Sequence, residues 1–128
     1  MGLEDIPRVN WPEHSGFCGV VQININGESY LRCGKYNDER HRDILRGILE
    51  KVGIQYGEIY SGGIKIPCVM GERYEVVGMG NLRLRLERGI ARFFGKSHDY
   101  GLRIDKKHLM NLLGEVDHGL KIELYSRF

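Results

Sequence analysis

The spacing of apolar residues along this 128-residue chain predicts an α+β fold, in which a mixed or antiparallel sheet is flanked by two helices in a single domain. Residues 17–25 are rich in β-branched side chains, and Asn26-Gly27 then predicts a tight hairpin. Two later segments have the apolar spacing of helices. Because the predicted strands outnumber the helices and do not alternate strictly with them, an all-parallel α/β sheet is disfavoured.

The strongest helix prediction covers residues 37–53. Asn37 is expected to cap the helix, Asp38 and Glu39 suit the positive end of its dipole, and Gly53 is expected to end it. Its apolar stripe consists of Ile44, Leu45, Ile48, Leu49 and Val52. These residues recur at helical spacing and should face the core.

The later elements are read from the same periodicities. A β-rich region is expected next, in which residues 54–63 lead into residues 64–70 and a turn at Gly71 and Glu72 precedes residues 73–78. In residues 82–94 leucines first alternate with arginines and then keep helical spacing, which predicts a strand passing into a short helix. Asp105 should cap a second helix that Gly114 ends, and residues 120–125 should form a last strand.

Composition limits the class of protein. Hydrophobic residues make up 41% and charged residues 28%, as in ordinary globular domains. No apolar run approaches the ~18 residues of a membrane helix, and the N-terminal segment lacks a signal-peptide core. We therefore expect a soluble cytoplasmic protein without a membrane partner.

The cysteines and the isolated histidines indicate neither metal nor cofactor. Cys18, Cys33 and Cys68 cannot all pair with one another and lack zinc-ligand spacing. Buried free thiols are the simplest interpretation. His14, His108 and His118 are expected at the surface.

The charge is nearly balanced but unevenly distributed. The net charge is +2, which does not require a nucleic-acid partner. Basic residues nevertheless crowd the stretch from 83 to 107. Within it, Arg83, Arg85, Arg88 and Arg92 lie near Phe93 and Phe94 and could contact nucleic-acid phosphates and bases. A solvated face of an amphipathic element is the commoner meaning of such a pattern.

His41 is the leading candidate for chemistry. Near a helix N-terminus it would lie beside unpaired N–H groups, which bind anions and lower a histidine's pKa. A neutral imidazole there suits a general base or a phosphoryl acceptor. However, Ile44, Leu45 and Ile48 follow at helical spacing, so a structural histidine on the core side is the alternative.

Two glycine-containing segments could hold a phosphate. Gly62-Gly63 before Lys65 could form a backbone nest beside a cation, although such a pair is more often a plain turn. Gly95, Lys96, Ser97 and His98 combine a turn, a cation, a hydroxyl and an imidazole. The upstream glycine of a Walker A loop is missing at the required spacing, so a nucleoside-triphosphate site is not predicted.

Several short sequence motifs follow one another in a characteristic order along the chain. Ile6–Val9 resembles an IPxV motif, and Arg32 followed by Lys35-Tyr36 and by HRDI from His41 resembles RGxKxAEYHADI. GGIKI at residues 62–66 resembles GGGRI, residues 76–78 resemble the start of VYGYS, and Phe94-Gly95 with His98 resembles FGxAxH. In this order the motifs resemble the protein phosphohistidine phosphatase family, which includes the janus and ocnus proteins.

The resemblance implies a metal-independent phosphohydrolase with His41 as base or nucleophile. Lys65 and Arg32 would stand at phosphate-binding arginines, and N–H groups from Gly95 to Ser97 would hold the phosphate. The implied substrate is a phosphorylated protein or a small phosphoramidate, with no cofactor. The chain departs from the family at Gly19, which replaces a lysine, at Gly80, which replaces a serine, and in the extra residues 82–93.

Two other hypotheses remain. The chain could be a non-catalytic nucleic-acid-binding module that uses the arginines of residues 83–92. It could also be a small domain that binds a protein partner.

Overall fold

The computed structural model describes residues 6–35, 39–61, 64–68, 74–98 and 100–125. The strands are β1 Gly16–Ile25, β2 Glu28–Cys33, β3 Gly57–Ser61, β4 Ile64–Cys68, β5 Tyr74–Arg85, β6 Ile90–Phe94, β7 Lys96–Ser97, β8 Leu102–Arg103 and β9 Lys121–Leu124. The helices are α1 His41–Lys51 and α2 Lys106–Glu115, and a 3₁₀ turn spans Leu86–Arg88.

Five strands form the main sheet in the order β2-β1-β5-β6-β9. Its pairs are antiparallel except β6 with β9, which are parallel. Parallel neighbours need a crossover connection, and α2 lies within this one. Two small hairpins, β3-β4 and β7-β8, complete the single domain. The predicted α+β class with a mixed sheet and two helices is confirmed.

The predicted hairpin turn between β1 and β2 is also confirmed. Asn26 has φ 51° and Gly27 has φ 83°, and Ile25 pairs with Glu28 across them. Two successive positive φ values give the primed turn whose twist matches that of the flanking strands.

The two faces of the sheet carry two apolar cores. Val21, Ile23 and Ile25 of β1 pack with α1, whose Ile44, Leu45, Ile48 and Leu49 are buried as predicted. The alternate residues Cys18 and Val20 pack on the α2 side, with Leu109, Leu112 and Leu113. Because strand side chains alternate, β1 contributes to both cores and is covered on both faces from Cys18 to Gln22.

The ends of the helices differ from the prediction. α1 begins at His41 with Arg40 as the N-cap residue, and Asn37 lies outside the described residues. Gly53, with φ 72°, ends this helix as predicted. Asp105 caps α2 as predicted by accepting the N–H of His108 at 2.9 Å. α2 continues to Glu115, so Gly114 lies inside it.

The short helix predicted within residues 82–94 is wrong. β5 runs on to Arg85, the 3₁₀ turn follows, and residues 90–94 form β6. Gly89, with φ 64°, closes the turn. In β6, Ala91 and Phe93 are buried while their neighbours are half-exposed, so the period is two. Within the described ranges, no helix is long and apolar enough to cross a membrane.

Cys18 and Cys33 are free and buried, as expected. A hydrogen bond between their thiols lowers the pKa of Cys18, whereas that bond and burial raise the pKa of Cys33. The Cys68 side chain lies outside the described residues.

A buried polar network fastens α2 to β1. Gln22 is fully buried; its Nε2 donates to the Asp105 carbonyl at 2.9 Å and its Oε1 accepts the Asp105 N–H at 2.7 Å. His108 Nε2 lies 2.8 Å from Asn24 Oδ1, and His108 Nδ1 lies 3.2 Å from Gln22 Nε2. An amide oxygen only accepts and an amide nitrogen only donates, so the ring is neutral with its proton on Nε2. His108 is half-buried in this network, whereas the sequence predicts it at the surface.

This network predicts that stability falls as pH drops below about 6.5, the ordinary histidine pKa. Burial lowers the pKa of His108, which Asp105 and Glu75 only partly oppose and Arg8 reinforces. A lowered folded-state pKa means that the unfolded chain binds the proton more tightly, so protonation favours unfolding. The midpoint of thermal unfolding of the wild type should fall more between pH 7.5 and 5 than that of His108→Gln. Equal falls in both proteins would contradict the prediction.

Candidate functional site

His41 is the first residue of α1, and its half-buried imidazole lies against the centre of the sheet. Its Nε2 lies 2.6 Å from the carbonyl oxygen of Gly80 in β5. A carbonyl oxygen only accepts, so Nε2 carries the proton and donates it. In the neutral ring Nδ1 is then unprotonated, and no described residue hydrogen-bonds to it. The lone pair of Nδ1 is available to act as a base or nucleophile.

Gly19 and Gly80, which the sequence resemblance aligned with a lysine and a serine, both contact this imidazole. A Cβ at Gly19 would lie 3.2 Å from His41 Nε2, and Gly80 supplies the carbonyl. A Cβ at Gly80 would lie 2.5 Å from Ile104 Cγ1 and 2.8 Å from the Phe94 carbonyl. The sheet therefore leaves no room for a larger residue at Gly80 without rearrangement, and neither glycine offers a cation or a hydroxyl.

Asn81 lies between Gly19 and the segment around Gly95. Asn81 pairs with Gly19 across β1 and β5, and with Phe94 across β5 and β6. A Cβ at Gly95, where φ is 80°, would lie 2.4 Å from Asn81 Nδ2. We call the group formed by His41, Gly19, Gly80, Asn81 and Gly95 the His41 site. Gly19, which faces the His41 imidazole, and Gly95 thus both lie beside Asn81.

The rest of the predicted Gly95 segment belongs to the β7-β8 hairpin. Lys96 follows Gly95 directly and is half-buried. Ser97 is buried, and its Oγ accepts the N–H of Tyr100 at 3.4 Å, so its hydroxyl supports the turn. His98 is exposed in that turn. Of this segment, Gly95 belongs to the His41 site, and Lys96 follows it along the chain.

Arg32 and Lys65 lie in other surroundings. Arg32 is buried, and burial lowers its pKa. Its Nε donates to the Leu31 carbonyl at 2.9 Å and its terminal nitrogen donates to the Pro7 carbonyl. It thereby holds the N-terminal segment against β2. Lys65 pairs with Tyr60 in the β3-β4 hairpin, and its side chain lies outside the described residues.

Carboxylates already occupy part of the N-terminus of α1. Asp43 accepts the Arg40 N–H at 3.3 Å, and Glu39 accepts the Lys35 N–H at 2.7 Å. Both offset the positive end of the helix dipole. A phosphate at His41 therefore needs cations from other elements. No cluster of three or more His, Cys, Asp or Glu side chains that could hold a metal occurs in the part of the chain that the structure describes.

Beyond α1, the same side of the sheet is open to solvent. Register places its side chains in rows across β1, β5, β6 and β9. The middle row consists of Phe17, Arg83, Arg92 and Glu123. The row nearer to α1 consists of Gly19, Asn81 and Phe94, and Tyr125 follows β9 beside it. The third row consists of Arg85, Ile90 and Lys121. We call these rows, with Arg88 in the adjoining 3₁₀ turn, the open face.

Aromatic rings lie next to guanidinium groups on the open face. The rings of Phe17 and Phe94 lie 5.6 Å apart between centroids, and Phe17 is 40% exposed. Arg92 Cζ lies 5.1 Å from the centroid of the Tyr125 ring, and Arg92 also pairs with Glu123 at 3.0 Å. A cavity of about 270 Å³ is lined by Arg83, Arg92, Phe94 and Tyr125.

All four arginines of the predicted nucleic-acid alternative lie together here. Arg83, Arg85, Arg88 and Arg92 line a second, smaller cavity with Ile90. Sequence reasoning missed two of their aromatic neighbours. Phe17 could have been found from the period of two that it shares with Gly19 in β1. Tyr125 could not, because only the parallel pairing of β9 brings it beside β6.

No protein-family model matches the sequence, and no curated protein matches it. The assignment of a function therefore depends on the geometry of the His41 site and of the open face.

Replacing Gly19 by alanine should displace the His41 ring. The new Cβ would lie 3.2 Å from Nε2, so the bond to Gly80 should weaken and the ring nitrogen resonances of His41 should shift. Gly47→Ala is the matched control, because Gly47 lies in α1 with open space around it and should stabilise the protein by up to about 1 kcal/mol. Unchanged His41 resonances in Gly19→Ala would contradict the assigned contact.

Replacing Arg32 by methionine should destabilise the protein by about 1–3 kcal/mol, because the Pro7 carbonyl loses its donor. Urea unfolding measures the loss. For the phosphohydrolase that the resemblance implies, the Michaelis constant should stay within about twofold, since the guanidinium is occupied by backbone carbonyls. A large rise in that constant without loss of stability would instead assign Arg32 to the phosphate.

Proposed function

We propose that this chain is a metal-independent phosphohydrolase that acts on phosphohistidine or a related phosphoramidate. The observation that carries the proposal is the His41 imidazole, held by its Nε2–H on the Gly80 carbonyl, while Nδ1 has no hydrogen-bond partner among the described residues. The convergence of His41 with Gly19 and Gly80 supports the resemblance as well, because the motif order aligned these three separated positions with the family's site.

In the nucleophilic route, the lone pair of Nδ1 forms a bond to phosphorus as the P–N bond of the substrate breaks. The leaving nitrogen takes a proton from water, and hydroxide or a second water then releases phosphate from His41. In the general-base route, Nδ1 takes a proton from water as the water oxygen attacks phosphorus. That proton then passes to the leaving nitrogen. Both routes consume one water overall and release phosphate and the free amine.

The Gly80 carbonyl assists either route. As Nδ1 gains a bond or a proton, the ring becomes positive, and the Nε2–H···O bond then becomes charge-assisted. The carbonyl also keeps the ring in one tautomer and orientation, as a carboxylate does for histidine in a catalytic triad. It adds no negative charge that would repel a phosphoryl group.

Charge developing on the phosphoryl oxygens requires donors and cations. The backbone N–H of His41, at the first position of α1, has no acceptor within the helix. The Gly95 turn borders the site, and Lys96 follows it. Arg83 of the open face lies two residues after Asn81 on β5. These groups would bind the phosphoryl oxygens, which Gly19 and Gly80 cannot do because they have no side chain.

The test is phosphate release from a phosphohistidine peptide and from phosphoramidate, in the presence of a chelator. His41→Ala should lower the rate by about 100-fold or more, the usual contribution of a positioned base or nucleophile. His14→Ala is the matched control, because His14 is exposed, and should keep the wild-type rate. A wild type without activity, or a His41→Ala variant with the wild-type rate, would refute the proposal.

The two routes are separated by acid quenching at early times. The nucleophilic route predicts an acid-labile, base-stable phosphoryl group on the peptide that contains His41, detected by mass spectrometry. The general-base route predicts no phosphoryl group on the protein at any time.

A further inference from the structure

We propose that the open face binds single-stranded nucleic acid. Five cationic side chains share this surface: Arg83, Arg85, Arg88, Arg92 and Lys121. Two acidic side chains lie with them: Glu123, which pairs with Arg92, and Glu87 of the 3₁₀ turn, which accepts a hydrogen bond from Ser15. The face therefore has a net positive charge, whereas the whole chain carries only +2, and the charge complements a phosphate backbone.

The rings on this face favour nucleic acid over other polyanions. Phe17, Phe94 and Tyr125 lie among the arginines, and Phe17 and Tyr125 are 40% and 44% exposed. Aromatic side chains in a basic groove stack unpaired bases regardless of sequence. An acidic peptide would pair with the arginines but has no planar group for each ring. A duplex keeps its base faces stacked inside, so its bases cannot reach the rings.

The cavity between Arg83, Arg92, Phe94 and Tyr125 provides a place for one base. Two of its walls are rings, on which a base can stack, and two are guanidinium groups, which can bind the adjoining phosphates. Arg92 is held in place by Glu123 and by the Tyr125 ring. Arg83 is exposed and can move to a phosphate.

The segment that departs from the family pattern builds this surface. Residues 82–93 form the outer half of β5, the 3₁₀ turn and most of β6, and they carry all four arginines. Because β6 pairs with β5 along residues 81–85, the added hairpin widens the sheet beyond the part that α1 covers. The inference depends on this surface alone and not on hydrolysis at His41.

The experiment is a fluorescence-anisotropy titration with labelled oligo-dT and oligo-U of about 12 nucleotides, at salt concentrations between about 50 and 200 mM. Arg83→Gln/Arg85→Gln should weaken binding about tenfold or more at the lower salt concentration. The salt slope should also fall by about 0.7 for each arginine removed. Lys106→Gln/Lys107→Gln is the matched control. It removes the same charge from exposed positions of α2, on the other side of the sheet, and should change binding less than about twofold.

A second variant tests the rings without a change in charge. Phe17→Ser/Tyr125→Ser should weaken binding at least about fivefold, and circular dichroism should show an unchanged fold because both residues are exposed. His41→Ala should keep wild-type binding, which separates this inference from the proposed hydrolase. Wild-type protein that does not bind at the lower salt, equal losses in the lysine control, or equally tight binding of polyglutamate or of duplex DNA would overturn the proposal.

Discussion

β1 and β5 pair through the centre of the sheet, from Gly16 opposite Leu84 to Ile25 opposite Tyr74. Both apolar cores depend on this ladder, because alternate residues of β1 pack against α1 and against α2. The same register sets Gly19 beside Asn81 and Phe17 beside Arg83. A shift of the β1–β5 register by one residue would move the side chains of one strand to the opposite face from their present neighbours. The residues of the His41 site and those of the open face would then no longer lie side by side.

Three glycines of the sheet allow neighbouring side chains and backbone atoms to approach its strands closely. At Gly78 a Cβ would lie 2.3 Å from Gln22 Oε1 and 2.6 Å from the Arg103 carbonyl, where the chain passes from β8 to α2. Gly80 admits Ile104 and presents its carbonyl to His41, and Gly19 admits the imidazole. Gly19 and Gly80 therefore place no side chain beside His41, and the arginines of this part of the sheet lie on β5 and β6.

The two candidate surfaces are continuous across the sheet. The row of Gly19, Asn81 and Phe94 borders His41 on one side and the row of Phe17, Arg83 and Arg92 on the other. The carboxylates of Glu39 and Asp43 lie near the N-terminus of α1 and oppose the binding of free anions there.

The sequence by itself determined what depends on local spacing. The stripe of Ile44, Leu45, Ile48 and Leu49, the Asn26-Gly27 turn and the Asp105 cap each need only residues a few positions apart. The position of His41 near a helix N-terminus follows from the same local pattern. The alternation in residues 82–94 was misread as ending in a helix, because Leu82, Leu86 and Ile90 satisfy both periods.

Only the tertiary structure decided which distant residues meet. Gly80 is 39 residues from His41, and the partners of Arg83 lie on β1 and β6. Arg32 is predicted as a phosphate ligand by motif order, yet its guanidinium binds the Pro7 carbonyl, which no local pattern indicates. His108 likewise depends on Gln22 and Asn24, more than 80 residues away. Strand register and the packing of α2 create these contacts, and both are properties of the assembled sheet.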